Sequence, residues 1–240
     1  MTLVACVPPN LPSGFLGGID VLASPSSAAC YRNSYRPAGD RSPVLLSLGN
    51  VISRVGLDQS RLDEADMVLL APAYLELATP PPPTVRSVWG VPLQGAPLRT
   101  IDRDGLVSPV CRPLKAAEPF VNPAAFLFFT EEDVGSPSRL ALRITSLGGI
   151  AIITRSHLGS TIFRTSTRRD LDAYPAQEVE PPGAGDCFAA AFLLRLAETG
   201  DLDEAACYGL AVGSLAVESP EILGIHTRKR IEARIRGAAA

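Results

Sequence analysis

The chain has 240 residues, of which 46% are hydrophobic and 20% charged, with a formal net charge of -3. That length suffices for one sizeable α/β domain with its own core, and the acidic balance argues against non-specific nucleic-acid binding, which needs a basic face. Five scattered cysteines without a C-x-x-C pair, together with two histidines, make a zinc site an unsuitable reading.

The thiols read as reduced, which gives a cytoplasmic expectation. No run approaches the ~18 apolar residues of a membrane span. The N-terminus, Met1 to Pro9, has neither the basic start nor the long apolar region of a signal peptide.

In chain order, short apolar runs bounded by proline and glycine predict strands at Leu3 to Val7, Val44 to Leu48, Met67 to Ala71, Val85 to Val91, Phe126 to Phe129, Ile150 to Thr154 and Thr161 to Arg164. Helices are predicted at Asp58 to Glu64, Pro137 to Ile144, Cys187 to Thr199 and Asp203 to Glu218, the last capped by Asp201. A final helix is predicted from a Thr227 cap to Arg236, its wet face holding Arg228, Lys229 and Arg230. The proline-dense segment Thr79 to Thr84 is a loop. Strands alternating with helices indicate a layered α/β fold with a largely parallel sheet.

The chemistry concentrates in Val179 to Phe192, where a breaker-rich loop turns into a long helix through Gly183, Ala184, Gly185 and Asp186. Small residues let a ligand approach the backbone, and a helix N-terminus aims free N–H groups and a partial positive charge at the same spot. Such a place binds anions, phosphate above all. Asp186 beside it can accept a proton from an attacking hydroxyl. Taken alone, the four letters fit an ordinary helix start capped by Asp186 equally well.

The wider segment resembles the C-terminal pattern of the ribokinase/PfkB carbohydrate kinase family. The resemblance implies an ATP- and Mg²⁺-using kinase of a small sugar, polyol or nucleoside, with Gly183, Ala184 and Gly185 as the anion hole and Asp186 as the base. It implies a ribokinase-like three-layer α/β/α sandwich, one domain over residues 1–240, with a mostly parallel central sheet and a small β lid within about residues 15–48. It places Thr154 and Gly159 beside the nucleotide, and Asp133, closing Phe126 to Asp133, where the family has a magnesium-linked Asn-x-x-Glu. Gly18 to Val21 and Tyr31 to Arg41 look like lid strands, through which relatives often form homodimers, and Asn33 and Arg41 could touch substrate there. Tyr174-Pro175-Ala176, Ala211 to Glu218, Gly224-Ile225 and Thr227-Arg228 also fit. Gln94-Gly95 and Leu98-Arg99 resemble the branch with inositol and related sugar kinases.

The pattern departs from the family in several places. Glu180-Pro181-Pro182 replaces Asp-Thr-Thr or Asp-Pro-Thr, and Pro182 removes an N–H where phosphate should approach. Thr130-x-x-Asp133 replaces Asn-x-x-Glu. Ser156 takes a glycine position of the Thr-x-Gly-x-x-Gly turn, and Leu210 stands where many relatives have an adenine-side Asn. The family's opening strand with its sugar-binding Asp, and its Gly-Gly-x-x-x-Asn segment, have no counterpart, Gly17-Gly18 lacking the Asn. An incomplete acceptor pocket and a shortened sheet are therefore expected. The alternatives are a non-catalytic nucleotide-binding member of the fold and a hydroxymethylpyrimidine-type kinase, the latter disfavoured because such enzymes commonly have Cys where Asp186 stands. His157 and His226 are expected in surface or capping roles and Trp89 in the core. Cys187 sits at a helix N-terminus, where a thiol pKa is lowered, although a packed small residue is the preferred reading.

Overall fold

The computed structural model describes residues 1–7, 18–25, 27–35, 41–52, 59–74, 76–77, 80–81, 86–94, 97–179, 183–219 and 227–237. Gly17, Asp58, Gly95, Glu180-Pro181-Pro182, Gly224-Ile225 and His226 lie outside these residues, as do most of the Thr79–Thr84 loop and the side chain of Arg41.

A six-stranded sheet organises the described residues. It contains β5 (Met67–Leu69), β6 (Val88–Pro92), β9 (Ala125–Thr130), β10 (Ile150–Thr154), β11 (Ser160–Arg164) and β12 (Thr167–Leu171), in the order β12-β11-β10-β9-β6-β5. The pairs β5–β6, β6–β9 and β9–β10 are parallel, while β11 runs antiparallel to both of its neighbours. The continuous apolar runs Ala125-Phe126-Leu127-Phe128-Phe129 and Ile150 to Ile153 form the middle of this sheet because both of its faces are covered.

Period-two alternation splits those runs between two cores. Leu127, Phe129, Ala151 and Ile153 pack on the side that holds Leu140, Ala141 and Ile144 of α3 (Pro137–Ser146), with Leu62 of α1 (Gln59–Glu64) and Leu114 of α2 (Pro113–Ala117) packed against them. Phe126, Phe128 and Ile152 face Phe188, Phe192 and Leu193 of α4 (Ala184–Thr199) and Ala205, Ala206 and Leu210 of α5 (Leu202–Ala216). Beyond α5, Ile231 of α6 (Arg228–Ile235) closes a third cluster against Tyr208, Ala211 and Leu215. The expected three-layer sandwich with a mostly parallel sheet is present.

Local chemistry ends these helices where the sequence suggests. Asp201 accepts hydrogen bonds from the N–H groups of Asp203 and Glu204, at 2.8 and 3.0 Å, which satisfies two otherwise orphaned donors of α5. Gly200 stops α4 with φ +69°, its N–H donating to the Leu196 carbonyl. Thr227 stands at the start of α6 but makes no side-chain capping bond there.

Glycine contacts on two sides set how α4 sits. A Cβ at Gly90 on β6 would lie 2.3 Å from Leu193 Cδ1, so only glycine lets the helix approach the sheet this closely. Gly90→Ala is expected to cost about 1–3 kcal/mol through overpacking, read as a lower midpoint in urea with an unchanged slope. On the other side, a Cβ at Gly209 would lie 3.0 Å from Phe188, and one at Gly213 would lie 3.6 Å from the Ala184 carbonyl. These glycines, four residues apart and so on one face of α5, hold it against the first turns of α4.

The remaining strands form small separate ribbons. A hairpin pairs β3 (Cys30–Tyr35) with β4 (Arg41–Ser47), and a second pairs β7 (Arg99–Ile101) with β8 (Val107–Pro109). A bridge between Val44 and Leu106, with Leu45 N–H donating to the Gly105 carbonyl, joins the two hairpins. The β3–β4 hairpin coincides with the expected lid-like stretch. The run at Leu3 to Val7 departs from expectation. It forms β1 (Thr2–Val7), paired in parallel with β2 (Asp20–Pro25) in its own two-stranded sheet. None of its described side chains is buried, so it is no buried strand of the main sheet. Among the described residues no helix is long and apolar enough to cross a membrane.

Candidate active site

The helix expected from Cys187 begins earlier, at Ala184, with Gly183 as its cap. Gly183 has φ +89°, a conformation glycine adopts at little cost, and it has no side chain that could fill the helix end with a capping oxygen. Cys187 N–H donates to the Gly183 carbonyl at 2.9 Å. The N–H groups of Ala184, Gly185 and Asp186 therefore form the first turn itself, where donors lie beyond the reach of i→i-4 bonding. A Cβ at Gly185 would meet no described atom within 4 Å, so packing does not explain glycine there. Asp186 is exposed in the same turn.

Aromatic contacts fix the direction of α4. Phe188 packs edge-on against Phe128 with ring centroids 6.0 Å apart, while Phe192, one turn on, contacts both Phe128 (5.5 Å) and Phe126 (5.4 Å). The helix thus runs antiparallel to β9 and starts at the carboxyl end of the parallel strands. Thr154 lies at the same edge, opposite Thr130 on β9 and Ser160 on β11. Carboxyl edges of this kind are where open α/β sheets bind ligands. Gly183, Ala184, Gly185, Asp186, Thr154 and the turn containing Gly159 therefore share one edge of the sheet.

Gly159 has a structural reason of its own. It sits at φ +92°, and a Cβ there would fall 2.0 Å from the Leu171 carbonyl oxygen. Ser156, at the departed glycine position, still takes the left-handed backbone, with φ +50°. The turn keeps its shape although serine strains it, at a cost of about 1 kcal/mol. His157 lies exposed in this turn, Trp89 is buried in the core as expected, and Leu210 is buried among the α4–α5 side chains.

Asp133 occupies itself with other partners. Its carboxylate is fully buried and accepts from Arg99 Nη2 at 2.5 Å, Thr130 N–H at 2.6 Å and Thr130 Oγ1 at 3.0 Å. Thr130 and Asp133 thus form a reciprocal capping turn. Among the described residues no group of three or more His, Cys, Asp or Glu gathers as a metal site.

Sequence reasoning picked out Tyr174 and Cys187 but not the partners that surround them behind the turn. Tyr174 hydrogen-bonds Cys207, and burial pushes the tyrosine hydroxyl above its ordinary pKa. Burial, then the charge of Asp186, pushes the Cys187 thiol up, opposite to what a helix N-terminus alone would do. Burial also works to raise the Glu218 carboxyl, but its hydrogen bond and ion pair with Arg234 hold it below the usual carboxylate range. No periodicity announces partners separated by 16 or 59 residues, so these contacts had no sequence signal.

The similarities of the chain to known proteins concern its fold and its C-terminal half. Residues 128–224 match the pattern described as pfkB family carbohydrate kinase. No curated protein matches the chain at a significant level. Among solved structures, ribokinase from Thermotoga maritima is similar with a TM-score of 0.72 at 17% identity, covering 98% of this chain and 81% of that one. A putative ribokinase II from E. coli, in complex with ATP and Mg²⁺, has a TM-score of 0.67 at 18% identity, covering 98% and 83%. A pyrophosphate-dependent kinase in the ribokinase family, complexed with a pyrophosphate analog and myo-inositol, has a TM-score of 0.67 at 18% identity, covering 90% and 77%. Along its length the chain thus has the fold of the ribokinase-family structures, and residues 128–224 carry the pfkB family carbohydrate kinase pattern.

Proposed function

We propose that the chain transfers the terminal phosphoryl group of ATP to a hydroxyl of a small sugar, polyol or nucleoside. One observation carries this reading: a glycine-capped helix N-terminus, with Asp186 in its first turn, stands at the carboxyl edge of a parallel sheet. Asp186 accepts the proton of the acceptor hydroxyl as that oxygen bonds to the terminal phosphorus. The bond from phosphorus to the bridging oxygen breaks, and ADP leaves with the electron pair. The first-turn N–H groups and the positive helix end stabilise charge on the transferring oxygens. Thr154 and the Gly159 turn lie on the nucleotide side of this site, and the β3–β4 hairpin serves as the lid of the single domain.

Asp133, buried and already bonded to Arg99 and Thr130, does not fit a metal ligand, and Mg²⁺ would enter with the phosphates of the donor.

Calorimetric titration with a non-hydrolysable ATP analogue and Mg²⁺ tests the proposal without naming an acceptor. The native chain is expected to bind saturably. Gly185→Ala is expected to bind at least about tenfold more weakly while keeping or raising its thermal midpoint, since alanine suits a helix better than glycine by up to about 1 kcal/mol. Absence of binding at millimolar analogue would overturn the reading in favour of a non-catalytic scaffold.

A further inference from the structure

The segment leading into the anion-hole turn is tied down at alternate residues. The Pro175 carbonyl accepts from Arg234 Nη1 at 2.7 Å, Gln177 N–H donates to Glu218 Oε1 at 3.4 Å, and Val179 N–H donates to the Val217 carbonyl at 2.7 Å. These three ties hold the 175–179 segment against the end of α5 and against α6. Four residues after Val179 comes Gly183, the cap of α4.

Arg234 stands at the centre of these ties. Its Nη2 donates to Glu218 Oε2 at 2.6 Å, and its Nη1 also reaches Ser214 Oγ at 3.4 Å. One guanidinium thus joins α6, the last turn of α5, the turn after α5 and the 174–179 segment. Both partners are largely buried, with side-chain exposures of 17% for Arg234 and 22% for Glu218. A flat guanidinium with several fixed donors suits such a junction, where lysine could offer only a point charge. The other end of the system is also held, because Gly213 of α5 lies against the Ala184 carbonyl in the first turn of α4. Arg234 itself lies beyond the stretch that matches the family pattern.

We infer that Arg234, through Glu218 and Pro175, is a positioning residue that holds the Gly183–Asp186 turn in its anion-binding geometry from outside the site. This rests on the kinase reading for its consequence in binding, but not for its structural content.

The test combines amide hydrogen exchange with analogue titration on the full chain. Arg234→Gln and Glu218→Gln are compared with Arg236→Gln, whose i,i+4 pair with Glu232 on the same helix is exposed, and with Ile144→Val, which loosens the core on the opposite face of the sheet. Expected are exchange about tenfold faster at Val179 and Cys187, and analogue binding about tenfold weaker, in the first two variants, with neither change in the two controls. If Arg234→Gln does not fold, Glu218→Gln, which keeps an acceptor for the guanidinium, carries the test. Unchanged exchange at Cys187, or an equal change in Ile144→Val, overturns the inference. Faster exchange with unaltered affinity overturns it as well. Should the native chain bind no analogue, the kinase reading falls, and the positioning role stands or falls on exchange alone.

Discussion

Asp186→Asn is expected to lower turnover by about 10²–10⁴-fold, the ordinary worth of a positioned general base, once an acceptor is in hand. Asparagine keeps the size and the hydrogen-bonding oxygen of the side chain but cannot take up the hydroxyl proton. The fold should scarcely notice. Asp186 is exposed, and its charge near the positive end of α4 contributes at most about 1 kcal/mol, screened by salt. The diagnostic pattern is therefore a collapse of kcat with analogue affinity and thermal midpoint nearly unchanged. Affinity could even rise slightly, because a carboxylate no longer faces the phosphates. A variant with full turnover would show that the proton leaves by another route.

The largest expected loss of stability comes from the buried pair Arg99–Asp133. Asp133→Ala should cost about 3–5 kcal/mol, since it strands the Arg99 guanidinium with 15% exposure and leaves the Thr130 N–H without its acceptor. Breaking the pair from one side is worse than removing it. The double variant Arg99→Leu/Asp133→Leu is expected to recover part of the loss, because two apolar groups need no desolvated partner. Urea unfolding of Arg99→Leu, Asp133→Leu and the double gives the coupling. The Mg²⁺ dependence of analogue binding separates a clasp from a metal ligand. A clasp leaves that dependence unaltered in every variant that folds.

How legible these features were in the sequence follows from their physics. Phe126 to Phe129 and Ile150 to Thr154 announced themselves because a strand buried on both faces must be apolar throughout. The edge strand β12 did not, since Thr167-Arg168-Arg169-Asp170 is exposed and carries the charges that protect a sheet edge from further pairing. The β7–β8 hairpin was also missed, although its turn had a readable signal. Asp102 accepts from the N–H groups of Asp104 and Leu106, and Gly105 takes φ +81°. Leu3 to Val7 misled because an apolar run does not say which sheet it joins. At the site, the Gly183–Asp186 turn was readable because backbone chemistry carries it, within four consecutive residues. The Arg99–Asp133 pair and the Arg234 junction were not, because each depends on side chains that only the finished fold brings together.

The strand order β12-β11-β10-β9-β6-β5 also has a consequence for the birth of the chain. From β9 onward, neighbours in the sheet are neighbours in sequence, so β9 to β12 pair through comparatively local contacts. The β6–β9 pairing is less local. Trp89 and Val91 on β6 wait for β9, which is completed only at Thr130. At about 5–20 residues per second on the ribosome, that leaves an apolar strand uncovered for a few seconds during synthesis. Chaperone capture during translation should therefore begin once β6 has emerged from the ribosome and fade once β9 has emerged.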